Sequence, residues 1–373
     1  QISFANAQDL IRVKMTSAAK IEITGTGIII QEVEPSAIKV SIPKQSQKVR
    51  ISREKINRNI FWKVEYSDRP EVQFFSGAHL ALRGYEMRIG SNYLPSKLVL
   101  HADRKIEVIG FIPMQEYLYG VLSKEMPASW PMEALKAQAV AARSYALYMK
   151  KERAQKHYDV ESTILDQVFS RIENSNIHSD LQKSIIAAVD ETEGIYLTKK
   201  NGEPTKTFYH ADCGGVTSSS ESVFGSRGLI GGVKDASCPL NPKAKWSYQA
   251  SKETVIQKLA KFFRKPAELF HLQRIETDSQ QSERSRNVRV MTADGEIKTI
   301  SGNEFREIFG FQDIRSTKFQ IFQEGENFVF KGSGYGHGVG LCQWGTRKLA
   351  SIGQSFTMIL SHYYPELKLS VSK

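Results

Sequence analysis

The chain has 373 residues, 40% of them hydrophobic, enough for one large domain or two ordinary ones with real cores. No run of about eighteen apolar residues occurs, which excludes a membrane-spanning helix as read from sequence. The formal charge, 51 − 40 = +11, favours a polyanionic partner, yet the basic residues are scattered and no Lys/Arg-rich run with interleaved aromatics marks a nucleic-acid site. Nucleic acid is therefore not an expected partner, and bacterial wall polymers with carboxylates and phosphates suit a diffuse positive field equally well.

The chain opens QISFANAQDL, without an initiator Met, as an exported product trimmed of its leader would. Up to about residue 115 it reads as β-rich, because IRVKMTSAAKIEITGTGIII, SAIKVSIPKQSQKVRIS and KLVLHADRKIEVIGFIP set branched residues between turn formers. ADRK looks like a hairpin connection, and no helical period is expected before Met132. A strand or turn then ends at Glu125, followed by the Met-Pro-Ala-Ser-Trp-Pro break. Ser129 and Pro131 signal the start of a long helix. Leu135, Ala139, Ala142, Ala146 and Met149 make one stripe of it, while Ala137, Val140, Ala141 and Leu147 leave it apolar nearly all round.

A carboxyl just upstream of so rigid an element is well placed to hold one reactive group still. Tyr117, Tyr119, Met126 and Trp130 are expected to desolvate Glu125. Gln138 and Arg143 are polar exceptions in the helix; a buried Arg143 needs an acceptor, either a structural carboxylate or a substrate.

Further on, a second helix is capped at Ser179 and buries Leu181, Ile185, Ala188 and Val189. GIYLTKK and TKTFYHA, joined by NGEP, read as a hairpin. Residues 246–315 read as an α/β insertion, with helices at KETVIQKLAKFF and GNEFREIFG, a strand at RNVRVMT and a charged loop at 282–286. The last unusual stretch, GSGYGHGVGLCQWG, sets five glycines around His337 and opens a helix at Gln343 and Trp344. With no Lys-Ser/Thr after the glycines, a phosphate-cradling loop is disfavoured. A polysaccharide groove suits Gly334, His337, Gln343 and Trp344 better.

With these stretches in hand, the chain resembles the stage II sporulation protein D (SpoIID) family of peptidoglycan lytic transglycosylases. EYLYGVLSKEMPASWPMEALKAQAVAARSYAL, LDQVF, YHADCGGVT, SGNEFREIFG, GSGYGHGVGLCQWGTRKLASIG and ILSHYYP carry the likeness, in order, over roughly residues 80 to 365. The resemblance implies an α+β fold with a β-rich N-terminal region (1–79). A first part of the catalytic core (80–245) would contain the central buried helix next to the active site. The α/β insertion (246–330) and a Gly-rich loop with C-terminal helix (331–373) would complete one large cleft-containing catalytic unit. It also implies cleavage of the MurNAc–GlcNAc β-1,4 bond of peptide-stripped glycan to give 1,6-anhydro ends, with Glu125 as general acid and then base. Tyr119, Arg143, Gly334, His337, Gln343 and Trp344 are the expected substrate-binding residues.

No cofactor is needed for that chemistry. Some family members carry a His/Cys zinc site in this region, which makes His210, Cys213 and Cys238 the expected ligands of a structural zinc, with Cys342 or His337 as a fourth. A Cys213–Cys238 disulfide is the alternative in an oxidising periplasm. The expected partners are glycan strands, a cell-wall amidase and a membrane-anchored recruiting protein. The rival function is a non-catalytic, glycan-binding activator of such an amidase.

Overall fold

The computed structural model describes residues 10–33, 40–41, 48–67, 70–163, 166–170, 179–225, 230–236, 238, 241, 244–278 and 284–372. The chain is α+β and strand-rich, as expected, and divides into two compact units. The first comprises residues 1–129 and 142–193, the second residues 130–141 and 194–373.

Unit 1 is built on one sheet. Its strands are β1 (Leu10–Ala18), β2 (Lys20–Val33), β3 (Val40–Ser41), β4 (Lys48–Ile56), β5 (Asn59–Tyr66), β6 (Val72–Phe75), β7 (His79–Ile89), β8 (Asn92–Tyr93), β9 (Lys97–Ala102), β10 (Ile106–Pro113) and β11 (Val160–Glu161). They run in the order β11-β1-β10-β9-β7-β2-β4-β5-β6, with β3 on β2 and β8 on β7. Alternation fixes the inward face. In β2, however, Ile21 and Ile23 are separated from Ile28 and Ile30 by an odd step, and all four are buried. Register shifts at Thr24/Thr26 and Thr26/Ile29 absorb the extra residue, and Gly27, at φ 61°, sits inside that bulge. The ADRK connection joins β9 to β10 as an antiparallel pair.

Two helices follow. α1 (Met114–Glu125) was not expected, since the segment read as strand or turn. It buries Tyr117, Leu118, Val121 and Leu122 at helical spacing, behind an apolar strand that masks its start. α2 (Met132–Glu152) begins at the Pro131 carbonyl, which accepts from Ala134 and Leu135, and Ser129 lies in the turn before it. Leu135, Ala137, Ala139, Val140, Ala141, Ala142 and Ala146 are all fully buried, so the helix is apolar nearly all round as read. Its residues to Ala141 fall in unit 2, and those from Ala142 in unit 1. α3 (Ser179–Asp190) buries Ile185, Ala188 and Val189; the side chains of Ser179 and Leu181 lie outside the described residues.

Unit 2 contains β12 (Ile195–Thr198), β13 (Tyr209–His210), α4 (Ser220–Phe224), β14 (Lys245–Ser251), α5 (Lys252–Phe262), β15 (Leu272–Thr277), β16 (Asn287–Thr292), β17 (Ile297–Ser301), α6 (Gly302–Phe309), β18 (Phe319–Glu324), β19 (Asn327–Ser333), β20 (Leu341–Cys342), α7 (Gln343–Ser351), α8 (Phe356–Tyr363) and β21 (Lys368–Val371). The expected 195–211 hairpin is replaced by other pairings. A single bridge, Thr198 to Pro204, closes the NGEP turn, and Pro204 has no N–H to extend the ladder. β12 pairs instead with β21, and β13 runs parallel to β20. The helices expected at KETVIQKLAKFF and GNEFREIFG form as α5 and α6, both capped by serines, and pack with β14–β19–β18 and β15–β16–β17 around Phe270, Phe305, Phe309, Phe328 and Phe330. In the charged loop, residues 282 and 283 lie outside the described residues.

Candidate functional site

In unit 1, Glu125 is the last residue of α1 and continues the stripe Tyr117, Val121, Glu125 at i, i+4, i+8. The helix stops there because Met126 turns extended (φ −133°, ψ 142°), the conformation that the following Pro127 imposes. Glu125 is half-buried beside Met126, which is 2% exposed, and it adds to the negative charge felt by Tyr117. Burial is the main force holding the Tyr117 phenol well above its ordinary range.

Gln167 and Phe169 of the LDQVF stretch anchor this scaffold. Gln167 accepts from the Tyr117 hydroxyl at 2.7 Å and donates to the Ala142 carbonyl, while Phe169 stacks on Tyr117 at 5.5 Å. Gly120 lets Phe169 approach, since a Cβ there would collide with its ring. Tyr119 lies on another face, its hydroxyl donating to Asp190 at 2.6 Å. Arg143, 3% exposed, donates to the Val189 carbonyl (3.1 Å) and the Gln115 side chain (3.3 Å). Burial pushes its pKa down to about 10. Both of these acceptors, a carbonyl and an amide, belong to unit 1.

In unit 2 the parallel β13–β20 pair sets His210 against Cys342 and brings the 210–214 stretch beside it. The ligand atoms of Cys213, Asp235, Cys238 and Cys342, all buried, lie within 4.8 Å of one another. Cys342 takes the place of the fourth ligand, as one of the two expected candidates, but Asp235 stands in the set where His210 was expected. His210 faces the Val339 carbonyl through Nδ1 (3.1 Å), and its buried Nε2 has no partner among the described residues. Burial, then the nearby Arg284, pushes its pKa down to about 3, so the imidazole is neutral. The three cysteines are free, so the Cys213–Cys238 disulfide is not formed.

The geometry suits a cation. Cys342 and Cys238 sulfurs are 3.6 Å apart, against about 3.8 Å for the edge of a tetrahedron with Zn–S of about 2.3 Å. Charge points the same way. Hydrogen bonds from Cys213 and Cys342 pull the Cys238 thiol down, whereas its proximity pushes Cys213 up and burial pushes Cys342 up. Around the cluster, Tyr363 donates to Asp235 at 2.7 Å, and the amides of Cys213 and Gly345 point at the Cys342 sulfur. Arg284 donates to the Cys213 carbonyl at 2.7 Å. Asp212, raised to about 7 chiefly by burial, accepts from the Cys238 thiol and the Gly214 amide.

The glycine loop serves this assembly. Gly334 (φ 84°) presses on the Asp212 carbonyl, donates to Ala244 and accepts from the Trp246 indole. Gly338 leaves room for the Arg284 guanidinium, which any Cβ would strike. His337 packs edge-on against Phe208 and Phe224, and its Nδ1 accepts from the Val339 amide; burial holds its pKa well down.

Gln343, buried, opens α7, and Trp344 is half-buried. Trp130 meets Trp344 edge-on at 5.5 Å, with the exposed Arg347 guanidinium 5.5 Å and 5.0 Å from the two rings. Such a pair of indoles with a cation is a stacking platform for a charged sugar. Sequence reasoning missed Arg347, which lies one helical turn from Trp344, and Asp235, whose only signal is the D-x-x-C spacing to Cys238.

Residues 102–198 match the family model described as Stage II sporulation protein (SpoIID), and residues 189–340 match a domain of unknown function, DUF8618. The chain is 33% identical to an uncharacterized protein of Brachyspira hyodysenteriae, over 74% of this chain and 71% of that one. It is 30% identical to stage II sporulation protein D of Bacillus amyloliquefaciens, over 69% and 74% respectively. An amidase enhancer of Bacillus subtilis is 28% identical over 68% of this chain and 40% of its own length.

Proposed function

The chain belongs to the SpoIID family, and from that premise we propose that it is a peptidoglycan lytic transglycosylase with Glu125 as its catalytic acid and base. The observation that carries the reading is the position of Glu125, half-buried at the C-terminal end of a helix whose stripe is otherwise buried. That role requires a proton on the carboxyl when glycan binds, and Tyr117, Val121 and Met126 give it an apolar flank. Glu125 gives this proton to the oxygen leaving C1 of the muramic residue as the glycosidic bond breaks. The carboxylate so formed takes the proton of the C6 hydroxyl, whose oxygen bonds to C1, and the 1,6-anhydro ring closes without water. One carboxyl therefore does what ordinary glycosidases assign to two. Trp130, Trp344 and Arg347 are proposed to hold sugar, joined by Gln343 and His337.

The test is incubation with peptide-free glycan, followed by mass spectrometry for anhydro ends. Glu125→Gln is expected to lower turnover about a hundredfold to ten-thousandfold with an unchanged melting temperature; native-rate cutting by that variant sinks the reading. The likeness to an amidase enhancer supports a second reading, in which the chain binds glycan and activates a wall amidase without cutting. Binding without anhydro ends, with amidase stimulation intact in Glu125→Gln, decides for it. Either role places the chain outside the cytoplasm against the wall, where a membrane-anchored protein can recruit it.

We assign zinc to the Cys213–Asp235–Cys238–Cys342 cluster. Three sulfurs and one carboxylate are a donor set suited to that ion, and a closed set of four protein ligands makes it structural. When bound, it supplies the positive charge that lets the thiols ionise and cross-links three remote stretches of unit 2.

A further inference from the structure

The three-stranded sheet β14–β19–β18 buries Trp246, Phe319, Phe328 and Phe330 on one side. Its other side is polar at the Lys245 end, where it falls into two registered rows, and carries Val329 and Phe322 farther along. Lys245 pairs with Ser333, whose amide meets the Lys318 carbonyl; one step along, Ser247, Lys331 and Gln320 stand abreast. These six residues, together with Trp246, Phe319 and Gly332, line a cavity of about 580 Å³. No carboxylate lines it, and none of the three lysines forms an ion pair among the described residues. Three like charges gathered round a concavity with no acid among them oppose folding, and a solvated face does not require that arrangement.

The lysines differ in how they are held. Lys245 and Lys331 are exposed, the latter 5.3 Å from the Phe322 ring. Lys318 is half-buried and donates to the Gly214 carbonyl at 3.2 Å. Burial, then Arg284, lowers its pKa, partly offset by the thiol cluster and Asp212. With same-face residues about 7 Å apart along a strand and strands about 4.8 Å apart, the three Cα positions mark a triangle of about 8–10 Å sides. Spread over three strands, the ammonium groups meet successive charges along a chain. Between them Ser247, Ser333 and Gln320 offer neutral donors to phosphate oxygens. Trp246 and Phe319 are 7% and 2% exposed, and the Phe322 ring, exposed on the same face, lies under the Lys331 ammonium, so each aromatic face here is buried or covered on one side by a cation.

We propose that this sheet face is a second binding site, taking a linear, base-free phosphodiester polymer of the bacterial wall. It stands apart from the glycan-cutting reading and survives its failure. The test uses the full chain and poly(glycerol phosphate), with affinity measured by calorimetry at several salt concentrations. Lys245→Gln/Lys331→Gln is expected to weaken binding about tenfold or more and to flatten the salt dependence by about one to two counterions. Lys55→Gln/Lys105→Gln removes the same charge from exposed positions of unit 1 and is expected to weaken it by less than about twofold. Equal losses in the two variants overturn the proposal in favour of net charge alone. Duplex DNA or polyglutamate binding as tightly, with the same dependence on Lys245 and Lys331, overturns the assignment of the ligand.

Discussion

Cys238 sits where the charge of its cluster is concentrated, because it receives the other two thiols' hydrogen bonds. Cys238→Ser is expected to lose stoichiometric zinc by elemental analysis and to melt several degrees lower, since structural zinc binding is itself folding energy. Glu107 gives the clearest pH prediction. Burial opposes its charge, but Lys14 (2.7 Å) and His157 (2.5 Å) outweigh that and hold its pKa below the usual range. A depressed carboxylate stabilises the fold above its unfolded pKa of about 4.3, and that contribution is lost as pH falls through the folded value. Glu107→Gln is thus expected to cost about 1 kcal/mol at neutral pH and nothing in strong acid, read from denaturant midpoints across pH. Residue types were legible here only in part. Cys213 and Cys238 stood out by chemistry, whereas His210 misled, because its nearness to Cys213 in sequence says nothing of which side of β13 it occupies. Asp235 was invisible, an aspartate among forty acids until the chain folds.

At the scale of elements, the long apolar helix and the helices at KETVIQKLAKFF and GNEFREIFG were readable because helical periodicity is a local signal. α1 was not. It follows an eight-residue apolar strand without a break, begins at Pro113 with no side-chain cap, and carries Gly120 in its middle, so the helical spacing of Tyr117, Leu118, Val121 and Leu122 was masked. Tertiary contact supplies the reason for that glycine, which admits the Phe169 ring. Gly120→Val is expected to cost about 1–3 kcal/mol by overpacking. It should also loosen the LDQVF anchor behind Glu125, so that thermal unfolding and glycan turnover fall together. The 195–211 hairpin failed for the opposite reason. Its turn signal was sound, but strand pairing is decided by partners far away in sequence, here Lys368–Val371 and Leu341–Cys342.

For the whole molecule, the net charge of +11 pointed to a polyanion without saying where; the sheet face with Lys245, Lys318 and Lys331 gives that charge an address. Each unit has its own buried core. Chelation is accordingly expected to lower the unfolding temperature of unit 2 while the sheet of unit 1 keeps its own, measured by hydrogen exchange of the two sets of amides. The ligands of the cluster also impose an order on biogenesis. Cys342 follows Cys213 by 129 residues, so a chain still being made or threaded across a membrane holds two thiols and lacks the third. In an oxidising compartment those two are free to couple to each other, and that premature bond would shut the C-terminal strand out of its place. Early capture of a metal ion by Cys213, Asp235 and Cys238 would keep the thiols apart until Cys342 arrives, making the ion a guardian of assembly as well as a brace of the folded unit.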